Sequence, residues 1–237
     1  MGRIFETRKA TMFKRYAKMA KAFTKLGREL VMAVKGGGPN PDTNPRLRAV
    51  MQNAKAVNMP KVNVEAAIKR ASEKDTSSYE EVIYEGYAPH GIPVLVECTS
   101  NNPTRTVASV RLYFNRAGGA MGTNGSVAFM FEHKVMFKVE APGMSKDDLE
   151  LELIDFGLEE IDYDAESKHY VIQTAFTDFG KMQTALEERK INLIETSKIY
   201  IPTTTKELTP EQEAEVMAMI ERMEEDDDIE AVYHNIA

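Results

Sequence analysis

The residue types that most often carry catalytic or metal-binding chemistry are few and scattered in this chain. The only cysteine is Cys98, and the four histidines show no paired spacing; they are His90, His133, His169 and His234. A structural zinc site needs several such ligands at short spacing, so we expect no metal site. Because Cys98 cannot form an internal disulfide and follows the apolar residues 94–96, we predict a buried, reduced thiol.

Two glycine-rich segments resemble phosphate-binding loops only in their glycine content. Residues 36–38 (Gly-Gly-Gly) follow a predicted helix and lack the Lys-Ser/Thr that completes such a loop, so we interpret them as a hinge. Residues 122–126 (Gly-Thr-Asn-Gly-Ser) precede a predicted strand, whereas an anion-binding loop of this kind opens a helix. We predict a tight turn there. With no Gly-x-Ser-x-Gly elbow in the sequence either, we expect a protein that is not an enzyme and has no cofactor.

Positive charge is concentrated in the first third of the chain. Residues 1–75 contain 17 lysines and arginines against six acidic residues, a net charge of +11, although the whole chain carries −7. Residues 76–133, 134–201 and 202–237 carry −2, −7 and −9. A polyanion responds to local charge, so this distribution predicts nucleic-acid contact through the N-terminal third.

The basic residues recur along a long helix predicted over residues 10–35. Its apolar residues are spaced three or four apart and comprise Tyr16, Met19, Phe23, Leu26, Leu30 and Val34. The basic residues have the same spacing but centre roughly 180° away at about 100° per residue, which predicts a basic ridge opposite a core face. Like charges at this spacing repel each other, so a merely solvated face is the less favoured interpretation. The candidate nucleic-acid-binding residues are the basic residues of this helix, two that precede it and three from a second predicted helix. They are Arg8, Lys9, Lys14, Arg15, Lys18, Lys21, Lys25, Arg28, Lys35, Arg46, Arg48 and Lys55.

Two shorter helices complete a predicted three-helix bundle. The second helix begins with Asn44 as its cap and Pro45 in its first turn, and Met59-Pro60 ends it. The third runs over residues 64–73, and residues 75–78 are predicted to form a linker.

From residue 79 the apolar pattern changes from helical to alternating. Helices are predicted at residues 104–116, 146–156, 179–189 and 210–225, the second capped by Ser145 and the fourth by Thr209. Strands are predicted at residues 82–84, 92–97, 126–131, 135–139, 159–163, 169–174, 193–201 and 229–233.

The order of these elements predicts an α+β protein with three domains. Residues 134–201 read β-α-β-β-α-β, the ferredoxin-like arrangement. Residues 79–133 lack one helix and one strand of a second such unit, which residues 202–237 can supply. We therefore predict a basic helical domain at 1–75, a discontinuous domain at 79–133 with 202–237, and a ferredoxin-like domain inserted at 134–201.

Several motifs resemble those of the YebC/PmpR family. They are Tyr-Glu-Gly-Tyr-Ala-Pro-His-Gly at residues 84–91, Thr-Ser-Asn-Asn-Pro-Thr-Arg-Thr at 99–106, and Gly-Gly-Ala-Met-Gly-Thr-Asn-Gly-Ser-Val at 118–127. The resemblance extends over essentially the whole chain. It departs at the start, where family members typically have a Gly-His-Ser-Lys-Trp-like stretch; this chain reads Met-Gly-Arg-Ile-Phe and contains no tryptophan.

The resemblance implies a DNA-binding transcriptional regulator. Because relatives are also described as translation factors, a ribosome-associated protein that binds ribosomal RNA or tRNA is the alternative, and the sequence alone does not choose between them or fix sequence specificity or oligomeric state. Arg105 and Arg111 are candidates for additional nucleic-acid binding. With Glu97 they also leave open a cleft for a small molecule. No apolar run approaches the roughly 20 residues of a membrane span, and a lone thiol suits the cytosol, so we expect a cytoplasmic protein.

Overall fold

The computed structural model describes residues 3–72, 79–140, 143–166 and 168–237, with side chains from residue 19 onward. The chain divides into two compact units, Met1–Thr76 and Ser77–Ala237. The described part of the first unit forms three helices: α1 (Arg3–Gly37), α2 (Pro45–Ala56) and α3 (Lys61–Ser72). The predicted linker at 75–78 lies outside the described residues.

The start of α2 is the one that the sequence predicts. The Asn44 side chain accepts a hydrogen bond from the Leu47 N–H at 3.0 Å, and Pro45 occupies the first turn. After α2, Asn58 adopts a left-handed conformation with φ 57°. The next helix begins three residues earlier than predicted, because the Pro60 carbonyl already accepts hydrogen bonds from Asn63 and Val64.

The described part of the second unit contains four helices and eight strands. The helices are α4 (Pro103–Ala117), α5 (Lys146–Leu153), α6 (Phe179–Glu188) and α7 (Pro210–Glu224). The strands are β1 (Glu80–Ala88), β2 (Ile92–Ser100), β3 (Ala120–Met121), β4 (Phe131–Glu140), β5 (Leu158–Asp164), β6 (His169–Ala175), β7 (Leu193–Pro202) and β8 (Ile229–His234).

One antiparallel sheet has the order β3-β1-β2-β8. β1 and β2 form a hairpin across Pro89–Gly91, where His90 takes the left-handed conformation with φ 63°. Buried side chains of β2, among them Val94, Val96 and Cys98, pack with residues of α4 and α7. The last strand, β8, pairs with β2, and α7 begins with the predicted Thr209 cap. The C-terminal helix and strand thus complete this sheet.

The other antiparallel sheet has the order β5-β6-β4-β7, with α5 and α6 packed through a common core. That core includes Phe137, Leu149, Ile172 and Met182, all fully buried. The predicted Ser145 cap of α5 is present. In this sheet β6 and β4 are the central strands, and β5 and β7 are the edge strands, which is the ferredoxin-like arrangement. The predicted α+β class is confirmed. The boundaries of a three-domain division stay a prediction.

The strand predicted at residues 126–131 is wrong. Residues Ala128–Met130 form a short 3-10 helix, and β4 begins only at Phe131. The backbone N–H groups of Val127 and Ala128 bind the Glu85 carboxylate, so they are not available to a neighbouring strand. The two-residue strand β3, which the sequence did not predict, pairs with Gly86 and Tyr87 instead.

Candidate nucleic-acid interface

The structure describes the side chains of only some of the predicted basic residues on α1. Arg8, Lys9, Lys14, Arg15 and Lys18 precede residue 19 and lie outside the described side chains. Lys35, in the last turn, is exposed. The three between them, Lys21, Lys25 and Arg28, are half-buried.

The predicted separation of α1 into one core face and one solvated ridge is therefore only partly right. Leu26, Leu30 and Val34 are buried as predicted, whereas Phe23 is only half-buried. Burial extends over the five consecutive residues 30–34, because α2 and α3 both contact α1 and together cover more than one side of it. Long basic side chains can pack their aliphatic stems at such a boundary while the charged ends reach water.

The junction between α1 and α2 is fixed by Asn44. Its amide nitrogen donates to the Ala33 carbonyl at 2.7 Å and to the Gly38 carbonyl at 2.9 Å, and its oxygen caps α2. A Cβ at Gly37 would approach the Asn44 amide to 2.7 Å, which explains the glycine at that position. The predicted hinge at residues 36–38 is thus tied directly to α2.

The basic residues of α2 differ in their surroundings. Arg48 is half-buried, and its Nη1 donates to the carbonyls of Pro41 at 2.7 Å and Asp42 at 3.1 Å. Arg46 is half-buried and Lys55 is exposed. Arg48 therefore closes the loop before α2, a role that the sequence pattern did not reveal.

The two candidate residues on α4 are not arranged as a cleft with Glu97. Arg105 donates to the Asp228 carboxylate at 2.6 Å, and Arg111 is exposed elsewhere on α4. Glu97 lies on the other face of β2, where it binds Lys198 and Tyr233. Side chains alternate between faces along a strand, and Cys98 takes the face towards α4. The small-molecule cleft built from these three residues is therefore wrong.

The composition of the acidic run at residues 224–228 suggests a solvated helix end, but two of its carboxylates make hydrogen bonds within the fold. Asp228 is buried, and one of its carboxylate oxygens accepts hydrogen bonds from Ser100, Arg105 and Thr106. Asp226 accepts the Tyr113 hydroxyl at 3.0 Å. The run folds inward because its carboxylates satisfy donors on α4 and on the end of β2.

The glycine loop at residues 122–126 is the predicted turn, and it does hold an anion, but an internal one. The buried Glu85 carboxylate accepts the backbone N–H groups of Gly125 at 2.6 Å, Val127 at 2.7 Å and Ala128 at 2.8 Å. Burial acts to raise the pKa of Glu85, but these backbone hydrogen bonds hold it below its ordinary value. The loop is thereby fixed to β1.

In the described residues, no cluster of three or more His, Cys, Asp and Glu side chains has a geometry suited to a metal ion. Cys98 is buried and not disulfide-bonded, as predicted, and burial raises the pKa of its thiol. Among the helices that the structure describes, none combines the length and apolar character needed to cross a membrane.

Comparison with known proteins decides the family. Residues 3–74 match the TACO1/YebC protein N-terminal domain, and residues 79–236 match the TACO1/YebC second and third domain. The chain belongs to the YebC family. The resemblance found in the sequence motifs is thus confirmed.

Close YebC relatives are similar over their whole length. A probable transcriptional regulatory protein of Flavobacterium psychrophilum is 54% identical over 236 residues, which cover 100% of this chain and 99% of that relative. One from Anaeromyxobacter dehalogenans is 53% identical, with 100% of both chains covered. The crystal structure of a conserved hypothetical protein from Aquifex aeolicus is 35% identical, with a TM-score of 0.79 over 93% of this chain and 91% of that one. The names of the sequence relatives support a regulatory role at the level of the family.

Five basic residues of the YebC N-terminal unit are not in the predicted set of site residues, and the structure describes the side chains of three of them. Lys61, Lys69 and Arg70 all lie on α3 and are exposed. A signal was present in the sequence, since these residues contribute to the +11 net charge and fall off the apolar stripe of their helix.

Proposed function

We propose that this YebC protein is a nucleic-acid-binding regulator of gene expression, not an enzyme, and that it binds DNA through its basic first unit. The observation that carries the proposal is the segregation of charge. Residues 1–75 carry +11, and every later segment is negative. The positive charge of this unit attracts the phosphate backbone of a nucleic acid, although the chain as a whole is negative.

The basic residues of α1 and α2 supply the backbone contacts in this proposal. Lys35 and Lys55 are exposed, and Lys21, Lys25 and Arg28 lie along α1 at helical spacing. Contacts of this kind position a protein on DNA but do not read its sequence. Each phosphate contact on duplex DNA contributes about 0.9 to the dependence of log affinity on log salt, so binding must weaken steeply as salt is raised.

A salt titration with a matched pair of triple variants tests the proposal. The first variant is Lys21→Gln, Lys25→Gln, Arg28→Gln, which removes three charges but keeps hydrophilic stems at these half-buried positions. The second is Lys146→Gln, Lys168→Gln, Lys181→Gln, which removes three exposed charges from the second unit. Fluorescence anisotropy with a labelled duplex is expected to show a salt slope reduced by about 2.7 in the first variant and unchanged in the second.

The outcome that contradicts the proposal is equal behaviour of the two variants. Circular dichroism of both must remain that of the wild type, so that a loss of binding reports lost charge. A wild-type protein whose affinity for duplex DNA does not depend on salt would equally refute binding through phosphate contacts.

The same segregation of charge favours a second candidate, a translation factor at the ribosome. There the basic unit would bind ribosomal RNA or tRNA, and the acidic unit would face basic proteins. Crosslinking in cells followed by sequencing of the attached nucleic acid separates the two candidates. Recovery of genomic DNA supports the regulator of transcription, and recovery of ribosomal RNA or tRNA supports the translation factor. A sucrose gradient of crosslinked lysate checks the second candidate, which requires co-sedimentation with ribosomes.

A further inference from the structure

Helices α2 and α3 are joined by a short turn, which is the connectivity of a helix-turn-helix. Each has 12 residues, and residues 57–60 join them. The Met59 N–H closes the turn on the Ala54 carbonyl at 2.8 Å, and Asn58 supplies the left-handed residue. Both helices pack on α1. In proteins that use this motif, the second helix enters the major groove, and its N-terminal residues contact base edges.

One side of α3 is exposed and has the composition of a groove-facing surface. Val64, Ala67 and Ala71 are buried against the bundle. At about 100° per residue, the exposed residues of α3 cover roughly 200° of the helix. Five of them occupy a part of about 120°, which we call the outer arc; it consists of Val62, Asn63, Ala66, Lys69 and Arg70. The single acidic residue of α3, Glu65, is also exposed; it lies about 40° beyond Lys69 at the edge of the arc and pairs with Lys61 at 3.5 Å.

The side chains of the outer arc match what the major groove of DNA presents. Val62, in the first turn, is 73% exposed, although an apolar side chain gains nothing from water. The thymine methyl group offers it an apolar contact, and the Asn63 amide has the donor and acceptor that pair with adenine. Ala66 is small enough to let the helix approach. Lys69 and Arg70 lie about two turns later, where positive charge reaches phosphates.

We propose that α3 is the major-groove helix of this protein, with Val62 and Asn63 on base edges and Lys69 and Arg70 on the phosphates of duplex DNA. The inference rests on the proposed function and deepens it, because it assigns sequence reading to a helix outside the basic ridge of α1. Charge complementarity decides for DNA over an apolar protein partner: the exposed residues of α3 carry three positive charges against the single negative charge of Glu65, within a unit of net charge +11.

The experiment begins with selection by the full-length protein from a library of duplexes with a randomised centre. Affinities are then measured for the selected duplex and for a scrambled duplex of the same composition. Asn63→Ala and Val62→Ser are expected to lower the ratio of these affinities, Asn63→Ala by roughly tenfold or more, because a lost bidentate base contact removes discrimination. Lys69→Ala is expected to weaken both affinities equally and to reduce the salt slope by about 0.9.

Lys61→Ala is the matched control, since Lys61 is a lysine of the same helix outside the outer arc. It is expected to leave the affinity ratio unchanged. If selection enriches no sequence, or if Asn63→Ala and Val62→Ser leave the ratio at the wild-type value, the assignment of α3 is wrong. Tighter binding to an RNA duplex of the selected sequence than to the DNA duplex also overturns it, because the deep major groove of RNA does not admit a helix.

The α1 variants keep this failure distinct from failure of the proposed function. One outcome is that the triple variant of α1 weakens DNA binding and the α3 variants leave it unchanged. The basic first unit then still binds DNA, and only the assignment of α3 as the major-groove helix is refuted. If no variant of the first unit changes DNA binding, both are refuted.

Discussion

The Arg105 guanidinium donates to the Asp228 carboxylate at 2.6 Å and so ties α4 to the loop between α7 and β8. Ser100 and Thr106 donate to the same oxygen at 3.1 and 3.0 Å. Burial acts to raise the pKa of Asp228, but these three donors, Arg105 first among them, hold it below its ordinary value. An exposed arginine that the sequence offered for nucleic-acid binding therefore has a structural partner.

This pairing predicts how acid affects the second unit. A carboxyl group whose pKa is lowered by folding stabilises the folded state above its unfolded pKa of about 3.9, and the stabilisation is lost as pH falls through the folded pKa. Asp228→Asn is expected to lower the free energy of unfolding at pH 7 by roughly 1–3 kcal/mol and to make it less sensitive to acid. Urea unfolding followed by circular dichroism at neutral and acidic pH measures both effects. Glu221→Gln, at an exposed position of α7, is the control; equal effects of the two substitutions would contradict the prediction.

Glu85 gives a second prediction. Its carboxylate accepts the N–H groups of Gly125, Val127 and Ala128, whereas glutamine would offer one oxygen and turn an NH2 group towards backbone donors. Glu85→Gln is expected to cost roughly 1–3 kcal/mol of unfolding free energy and to speed hydrogen exchange at residues 122–128. Because folding lowers the pKa of Glu85, its contribution is present at neutral pH and disappears in acid. Glu80→Gln, exposed on the same strand, is expected to change neither quantity.

Local rules predicted the parts of the fold that depend on a few neighbouring residues. The caps Asn44, Ser145 and Thr209 were each found where the sequence places them. Such caps satisfy backbone groups of the next turn, so their signal lies within four residues.

The errors arose where a distant residue decided the local structure. Residues 126–131 have the composition of a strand, but Glu85, 42 residues before Val127, accepts the N–H groups that a strand would use. The burial of Lys21 and Lys25 likewise depends on how α2 and α3 pack on α1, which helical periodicity does not specify. For the candidate interface, the sequence therefore identified the charged unit, but not which of its basic residues have structural partners, such as Arg48.

Asn44 distinguishes a simple cap from a tertiary clamp. Aspartate is as good a cap as asparagine, but it cannot donate to the Ala33 and Gly38 carbonyls, which lie 2.7 and 2.9 Å from the Asn44 amide nitrogen. Asn44→Asp is therefore expected to destabilise the first unit at least as much as Asn44→Ala, by roughly 1–3 kcal/mol. Hydrogen exchange of the peptides around residues 30–50 measures the loss of stability of the first unit. It does not require that the whole chain unfold in a two-state manner. Wild-type protection in Asn44→Asp would show that capping alone matters.

The pKa of His133 depends on charged residues near the contact between the two sheets. Its ring is stacked between Phe176 and Tyr200, at centroid distances of 4.0 and 4.3 Å. Burial first, and then the nearby Lys198, lower the pKa of His133, whereas Glu97 acts in the opposite direction.

Removal of that lysine is expected to move the titration of His133 upwards. Lys198→Gln deletes the positive charge that disfavours the protonated ring, and the Glu97 carboxylate that favours the protonated ring remains. An NMR titration of the His133 ring protons gives the midpoint, with Lys138→Gln on β4 as the control. In the wild type, folding favours the neutral ring, so stability is lost as pH falls below the unfolded histidine pKa of about 6.5. A midpoint that stays constant or falls in Lys198→Gln would show that Lys198 does not act on this ring.

Arg48 and Lys55 provide the last prediction, because both are basic residues of α2 but only one has a described structural role. Arg48 donates to the Pro41 and Asp42 carbonyls, and Lys55 is exposed. Arg48→Ala is expected to speed hydrogen exchange of the loop at residues 38–44 by releasing it, and any loss of nucleic-acid affinity follows from that release. Lys55→Ala is expected to leave exchange unchanged and, if Lys55 contacts a phosphate, to reduce the salt slope by about 0.9. Arg48→Lys separates charge from geometry: it keeps the positive charge but replaces the planar guanidinium by a single ammonium group. If Arg48 acts through the loop, Arg48→Lys retains the salt slope but not the full protection of the loop. If Arg48→Ala leaves the exchange of the loop unchanged but reduces the salt slope, and Arg48→Lys restores that slope, Arg48 acts as a charge alone and its hydrogen bonds do not hold the loop.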